Sequence, residues 1–499
     1  MPGSRLLPAL CALGMALAGC QGADAGGLTR LPVPPPPAVQ GGRPVLWVSL
    51  AAHLGSAPLL LGSAGGDLAL VDASGAHWRA ARLQLRWLPQ PLAEPLQIHR
   101  SVLGPYASFE AAEQVALAWR ALGVAAEVAH PREWEVWAPV DALPLPDEPH
   151  RVVQQQLDSQ RVLQLYIGSG WRTLEGPVQI TAPAGLRYGD GVFAGPFRLQ
   201  ADAYGSWTLV EQVPLERYLH GVVPHEIGAG SPAAALAAQA VLARTWALRN
   251  QHRFALDGYH LCSDTQCQVY SDPRQAGSAV RQAIAATSGR VLVEAGEPIH
   301  AVYHASNGGV NADEDEAWPL PELSYLEPSL DLMGAAPAGV ALPLDSSTEV
   351  AQLLARRSGV VGAAHPLFRW QRQFDQASLR RGLGERASAL GQPLQPLVLE
   401  RGPSGRVVRL AIVGPAGRVV LERDAIRRTY RQLPSTLFVL QSTAPGVWRV
   451  EGGGFGHGAG LSQAGAIDLA ARGWTLEQIL NRYYPSAQLA LIEALAPMP

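Results

Sequence analysis

From Pro44 to about Pro89 the chain alternates short apolar runs, VLWVSL, DLALVD and ARLQLRWL, with Gly and Ser turns. That spacing predicts short β-strands. The period changes near residue 97: IHRSVLGPYASF reads as extended, EAAEQVALAWRALG has helical spacing and stops at Gly123, and VAAEVA and EWEVWAPV return to strands. Strand signals resume in VVQQQL, VLQLYIG and PVQITAP and run to WTLVEQVPLERYL. An alanine-rich segment follows, from Pro232 to Arg249, and predicts a closely packed helix, with Ser231 placed to cap it and Pro232 suited to its first turn. Residues 322–365 loosen into Pro-, Ala- and Gly-rich text before a helical patch, TEVAQLLARR. VVRLAIVG and RVVLERDAI are strands again, and the last helices are expected from Ser462 to Arg472 and after Thr475. No repeat of solenoid period is present. The mixture predicts an α+β fold, a mixed β-rich core flanked by helices, with a small α/β insertion.

Composition narrows the setting. A chain of 499 residues holds two or three domains and a substantial core. Its net charge of -3, with no block of Lys and Arg, argues against a nucleic-acid partner. Arg5 precedes LLPALCALGMALAG, too short to span a bilayer and ending in small residues, as in a signal peptide. The run closes on Leu17-Ala18-Gly19-Cys20, which resembles a bacterial lipobox, so Cys20 is the expected lipidation site and membrane anchor of an exported envelope protein. Gln21 rather than Asp follows, which favours an outer membrane where the cell has one. Residues 21–43, with a proline run from Pro34 to Pro37, are expected to be an extended tether.

Three segments carry candidate chemistry. Glu226 lies in VVPHEIGAGSP, a loop immediately before the predicted helix, and a carboxylate on loop backbone with rigid support is the leading catalytic candidate. His225-Glu226 does not begin a zinc-protease helix, because Ala229 stands where its second histidine belongs. Next, His260, Cys262 and Cys267 offer three of zinc's four ligands, with His252 as a fourth, while the same two cysteines in an exported protein form a small disulfide loop. Both readings stand. Last, IHAVYHASNGG and GGGFGHGAGLSQAGA present His304, Ser306, His457, Ser462 and Gln463 on turns, with alternating glycines that admit close approach of a ligand. The second of these fits no dinucleotide fingerprint and only imperfectly a nucleophile elbow.

Taken together, VPLERYLHGVVPHEI, AAQAVLARTWAL, CSDTQCQVYSD, TSGRVLVEAGEPIHAVYHASNGG, LPSTLF and GFGHGAGLSQAGAIDLAARGWTLEQILNRYY resemble the family of stage II sporulation protein D and the amidase enhancer. The resemblance implies a glycan-binding groove and a lytic transglycosylase that cuts the MurNAc–GlcNAc linkage of peptidoglycan strands stripped of stem peptides. Glu226 would be its single acid and base, and no cofactor would be required. It places Arg244, Gln268, Tyr270, His304, Ser306, His457, Ser462 and Gln463 around the substrate. Family members with zinc carry a histidine before the second cysteine, where this chain has Gln266. The amidase-enhancer branch implies the alternative, a noncatalytic wall-binding protein with a cell-wall amidase as partner. On this reading 1–20 is the lipoprotein signal and 44–96 the β-rich start of the family domain. Residues 97–145 are an α/β insertion, either ordinary or similar to a SPOR-type peptidoglycan-binding module. Residues 150–321 and 396–499 complete the family region around a variable stretch at 322–395.

Overall fold

The computed structural model describes residues 28–39, 43–334 and 340–495, so the signal segment and Cys20 lie outside the described residues. The fold is α+β. A seven-stranded sheet runs in the order Leu261–Cys262, Val45–Leu54, Trp207–Pro214, Phe197–Ala201, Val178–Thr181, Leu68–Val71 and His77–Ala80. Its inward residues, among them Leu46, Val48, Leu70, Ile180, Leu199 and Leu209, are buried, and they alternate as half-buried strands should. The largest hydrophobic core lies between this sheet and the helix Ala233–Arg249. Ala235, Leu236, Val241, Ala243 and Leu248 are all buried, so the helix is covered on every side. Alanine makes that possible by keeping the neighbouring backbones close. The start of the helix differs from expectation: Pro232 is the cap residue and makes no side-chain cap bond. Ser231 instead donates its hydroxyl back to the Ile227 carbonyl at 2.7 Å.

Strands expected to be separate are fused into a long ribbon. Arg82–Tyr106 pairs with His150–Ile167 from Leu85 opposite Leu165 to Leu103 opposite His150. The prolines at 89, 91 and 95 do not break it, because over that stretch the strand pairs on one edge only and the missing N–H groups are not needed. The ribbon carries an inserted β-α-β-β unit, in which the helix Phe109–Ala121, capped by Ser108, packs Phe109, Ala112, Ala116 and Trp119 against Trp134 and Val136. This unit shares its core with Val210, Phe254, Tyr259 and Cys262 of the main body.

The proline-rich stretch is no free spacer over its described part. Leu28 bridges to Ile98, Arg30 pairs with Glu127 at 2.8 Å, Pro37 offers its carbonyl to His260, and Val39 is buried. Toward the C-terminus a second core of Trp370, Phe374, Leu410, Ile412, Phe438 and Val450 lies between two three-stranded sheets. The last two helices, Gln463–Ala471 and Leu476–Tyr483, fall where expected, capped by Ser462 and Thr475. No helix among the described residues is long and apolar enough to cross a membrane.

Candidate functional site

Glu226 does not sit on a loose loop. The helix Leu215–Val223 runs on through Pro224–Gly228 as a wide π-type turn, a geometry that puts a side chain out of the regular ladder and is frequent at functional sites. The turn directs Glu226 into a cavity of about 600 Å³, within the range of sites that take a drug-sized ligand. The backbone N–H of Val269 donates to Glu226 Oε1 at 2.9 Å, and the Tyr303 phenol stands beside the same carboxylate and favours its charged form. Burial raises the pKa of Glu226 above the ordinary carboxylate value, and these two donors oppose the rise without cancelling it. Val269 and Gln268 follow directly on the disulfide Cys262–Cys267, whose Cα atoms are 5.6 Å apart. The small covalent ring thus fixes the donor facing the glutamate.

The facing wall comes from two segments far apart in sequence. Tyr303 and His304 pair in parallel with Leu461 and Ser462, Ser306 and Phe455 exchange backbone hydrogen bonds, and Ala312 donates to Gly458. The alternating glycines serve this contact rather than a ligand. Gly456 has φ 115°, and a Cβ there would fall 2.6 Å from that of His304; at Gly458, with φ 95°, it would run into the guanidinium of Arg406. His457 lines the cavity, with Nε2–H donated to the Tyr303 carbonyl at 2.9 Å and Nδ1 accepting from Ala459 N–H at 3.2 Å. Burial pushes its pKa down to about 4, so the ring is neutral and both nitrogens are committed. It is a brace, with Trp318 packed on it at 4.7 Å.

Two further walls close the cavity. The inserted unit contributes Phe109 and Glu110, the latter ion-paired with Arg253 of the main body. The helix Asp424–Thr429 and the residues after it contribute Asp424, Arg427, Arg428 and Arg431. Among the described residues that line the cavity, Glu226 is the carboxylate not engaged by an arginine: Glu110 is held by Arg253, and Asp424 by Arg427 and Arg428.

Of the residues expected around the substrate, Glu226, Gln268 and His457 reach the cavity. The others stand behind it. Arg244 is fully buried and gives both sides of its guanidinium to Glu216 at 2.7 and 2.8 Å, with a third bond to the Arg290 carbonyl. Tyr270 donates to buried Glu211 at 2.9 Å and packs on Tyr218. His304 is turned to the far side of its strand, toward the Ala459 carbonyl at 3.1 Å. Ser306 is buried in the backbone pairing, Ser462 caps its helix by accepting from Gly465 N–H at 3.2 Å, and Gln463 donates to Gln239 at 3.2 Å. The zinc reading does not fit. Both thiols are consumed in the disulfide, and His260 is buried with Nδ1 accepting from Trp47 N–H and Nε2 against the Pro37 carbonyl.

Sequence reasoning missed Tyr303, Trp318, Phe455 and the arginines. Tyr303 had a signal: adjacent residues on a strand face opposite ways, so of the pair Tyr303-His304 only one could face the groove.

The fold and site define a groove-bearing α+β protein with one free carboxylate at its floor. Residues 203–293 match the family model described as stage II sporulation protein, and residues 312–460 match a domain of unknown function, DUF8618. The chain is 28% identical over 304 residues to stage II sporulation protein D of Bacillus subtilis, covering 57% of this chain and 77% of that protein. It is 26% identical over 306 residues to the protein of the same name from Bacillus amyloliquefaciens, covering 56% and 75%. The amidase enhancer of Bacillus subtilis is 26% identical over 300 residues, 54% of this chain and 40% of that protein. Over residues 203–293, and over about 300 residues of these relatives, the chain is similar to the family of stage II sporulation protein D and the amidase enhancer.

Proposed function

We propose that this protein acts on the bacterial cell wall from an exported position, as a lytic transglycosylase that cleaves peptidoglycan glycan strands with Glu226 as the one acid and base. The observation that carries the reading is that, among the described residues lining a sugar-sized cavity, Glu226 is the one carboxylate not held by an arginine. Ordinary glycoside hydrolysis takes two carboxylates, one for the leaving oxygen and one for water or the sugar carbon. A muramic acid can supply its own nucleophile, the C6 hydroxyl, and then one carboxyl is enough. In the first half of the reaction Glu226 gives its proton to the glycosidic oxygen as the C1–O bond breaks. In the second half the resulting carboxylate takes the proton of the C6 hydroxyl as that oxygen closes on C1, leaving a 1,6-anhydro end and a regenerated acid. Burial favours the protonated state needed first, and the Val269 N–H and the Tyr303 phenol support the carboxylate that follows. Trp318 and the exposed ring of Phe455 offer apolar faces for sugar rings.

A second reading has one observation in its favour, the similarity to a protein named amidase enhancer: the groove holds a strand for a partner amidase and does not cut it. One experiment separates the two. Purified protein is incubated with glycan strands lacking stem peptides, and the products are searched by mass spectrometry for 1,6-anhydromuramic ends. Wild type should produce them and Glu226→Gln should not. Strands left intact by wild type, or cut equally by the variant, would leave only the holding role.

A further inference from the structure

The wall facing the inserted unit reverses the charge of the chain around it. The protein as a whole carries -3, with 16% charged residues, yet Arg427, Arg428 and Arg431 fall within five positions and all line the cavity that contains Glu226. They have a single counter-charge. Asp424 Oδ1 takes Arg427 at 3.2 Å and Asp424 Oδ2 takes Arg428 Nε at 2.6 Å, so both carboxylate oxygens are used. The Nε of Arg427 is buried without a hydrogen-bond partner. Arg431 is exposed and lies outside every ion pair among the described residues. Three guanidiniums against one carboxylate leave two positive charges on a wall whose outer members have free donor edges.

We propose that Arg428 and Arg431 bind the free carboxylate of a muramic acid lactyl group and are the residues that tell a stripped strand from one bearing stem peptides. This rests on the glycan-strand reading of the cavity. A stripped strand bears one lactyl carboxylate on every second sugar, whereas a strand with stem peptides bears a neutral amide at the same atom. A planar guanidinium fork matches a carboxylate in two parallel hydrogen bonds and gains charge assistance that an amide does not provide. Arg428 and Arg431 line the same cavity as Phe109 and Glu110 of the inserted unit, so the reading arginines stand where that unit meets the C-terminal region. Selectivity thus comes from a segment outside the stretch that carries Glu226.

The test measures binding to the full mature chain carrying Glu226→Gln, so that no ligand is consumed. Four labelled oligosaccharides of equal length are compared: GlcNAc–MurNAc tetrasaccharide with free lactyl acids, the same with lactyl methylamides, the same with an L-Ala–D-Glu dipeptide on each lactyl group, and a GlcNAc tetramer. The free acid should bind about tenfold more tightly than the methylamide, a margin that shrinks with added salt. Arg431→Gln should remove most of that margin, leave the methylamide and the GlcNAc tetramer unchanged, and be partly rescued by Arg431→Lys. Equal affinity for acid and methylamide, or an equal loss on all four ligands, would overturn the proposal. So would a dipeptide form that binds as tightly as the acid, since the arginines would then be reading peptide carboxylates. The catalytic reading fails separately: anhydro ends absent from wild type with the acid preference intact would refute cleavage and keep recognition.

Discussion

Tyr303→Phe tests the chemistry at Glu226 more sharply than deleting the glutamate, because it removes one hydroxyl and leaves the carboxyl in place. The phenol favours the charged carboxylate as a hydrogen-bond donor would, so its loss disfavours that form and moves the pKa of Glu226 further up. A hydrogen bond to a charged group contributes about 1.5–3 kcal/mol, and the lower end applies at a carboxylate facing a solvent-filled cavity. At about 1.4 kcal/mol per pH unit this is a shift of about one unit. Cleavage begins with protonated Glu226, so kcat/KM falls as pH rises through its pKa, and the variant's descending limb should lie about one unit higher than that of wild type. The assay is the initial rate of anhydro-end formation on stripped strands from pH 4 to 9, at low substrate. A Tyr303 that merely props the wall would lower the rate at all pH values without moving the limb. A limb that stays in place refutes the role of Tyr303 toward the carboxylate, and one that moves down refutes the assignment of Glu226 as the acid.

Other substitutions separate brace from chemistry. Glu226→Gln should stabilise the protein while abolishing cleavage: a carboxyl whose folded pKa is raised contributes fully below its unfolded value and loses that contribution as pH rises through the folded one. The variant's melting temperature should therefore exceed that of wild type at pH 8, with the gain shrinking as pH falls toward the ordinary carboxylate range. Removing the disulfide with Cys262→Ala and Cys267→Ala opens a ring of five-residue separation, a loss of about 2 kcal/mol on the chain-entropy model, and should lower kcat by loosening the Val269 donor; unchanged melting and kcat would refute both. Arg244→Met takes a buried guanidinium from half-exposed Glu216 and from the Arg290 carbonyl and should cost about 1–2 kcal/mol in denaturant titration, with KM for strands unchanged in the protein that remains folded.

Local signals in the sequence carried much of this fold. The helix Ala233–Arg249 announced itself through alanine and Pro232, and the inserted helix through its helical spacing and Gly123, because helix propensity and stop signals are properties of neighbouring residues. The fused ribbon was hidden, since the prolines at 89, 91 and 95 read as punctuation until the partner strand shows that only one edge is in use. The site divides the same way. Glu226 was legible from its setting, but whether a motif residue touches substrate or backbone depends on which way it faces, and that is fixed by packing across long separations. Tyr303 and His304 are neighbours with opposite fates for this reason. Arg244, Tyr270, Ser462 and Gln463 answer to buried polar partners, since a buried donor without an acceptor would be costly.

These hidden braces bear on how a one-carboxylate site is built. A glutamate that must be first acid and then base needs an environment that favours neither state strongly, and it cannot have an arginine beside it, which would hold it ionised. The cavity contains four arginines, and their placement keeps that condition: Arg253 is taken up by Glu110, Arg427 and Arg428 by Asp424, and Arg431 lies on the same segment as Asp424. On the proposed reading, charge for binding and neutrality for catalysis fall to different walls. The wall carrying Glu226 is set by the π-type turn and the disulfide loop, and the cationic wall by a segment some two hundred residues later in the chain. Substitutions on the cationic wall should accordingly change which strands are held, and those at Tyr303 or Val269 the pH at which they are cut.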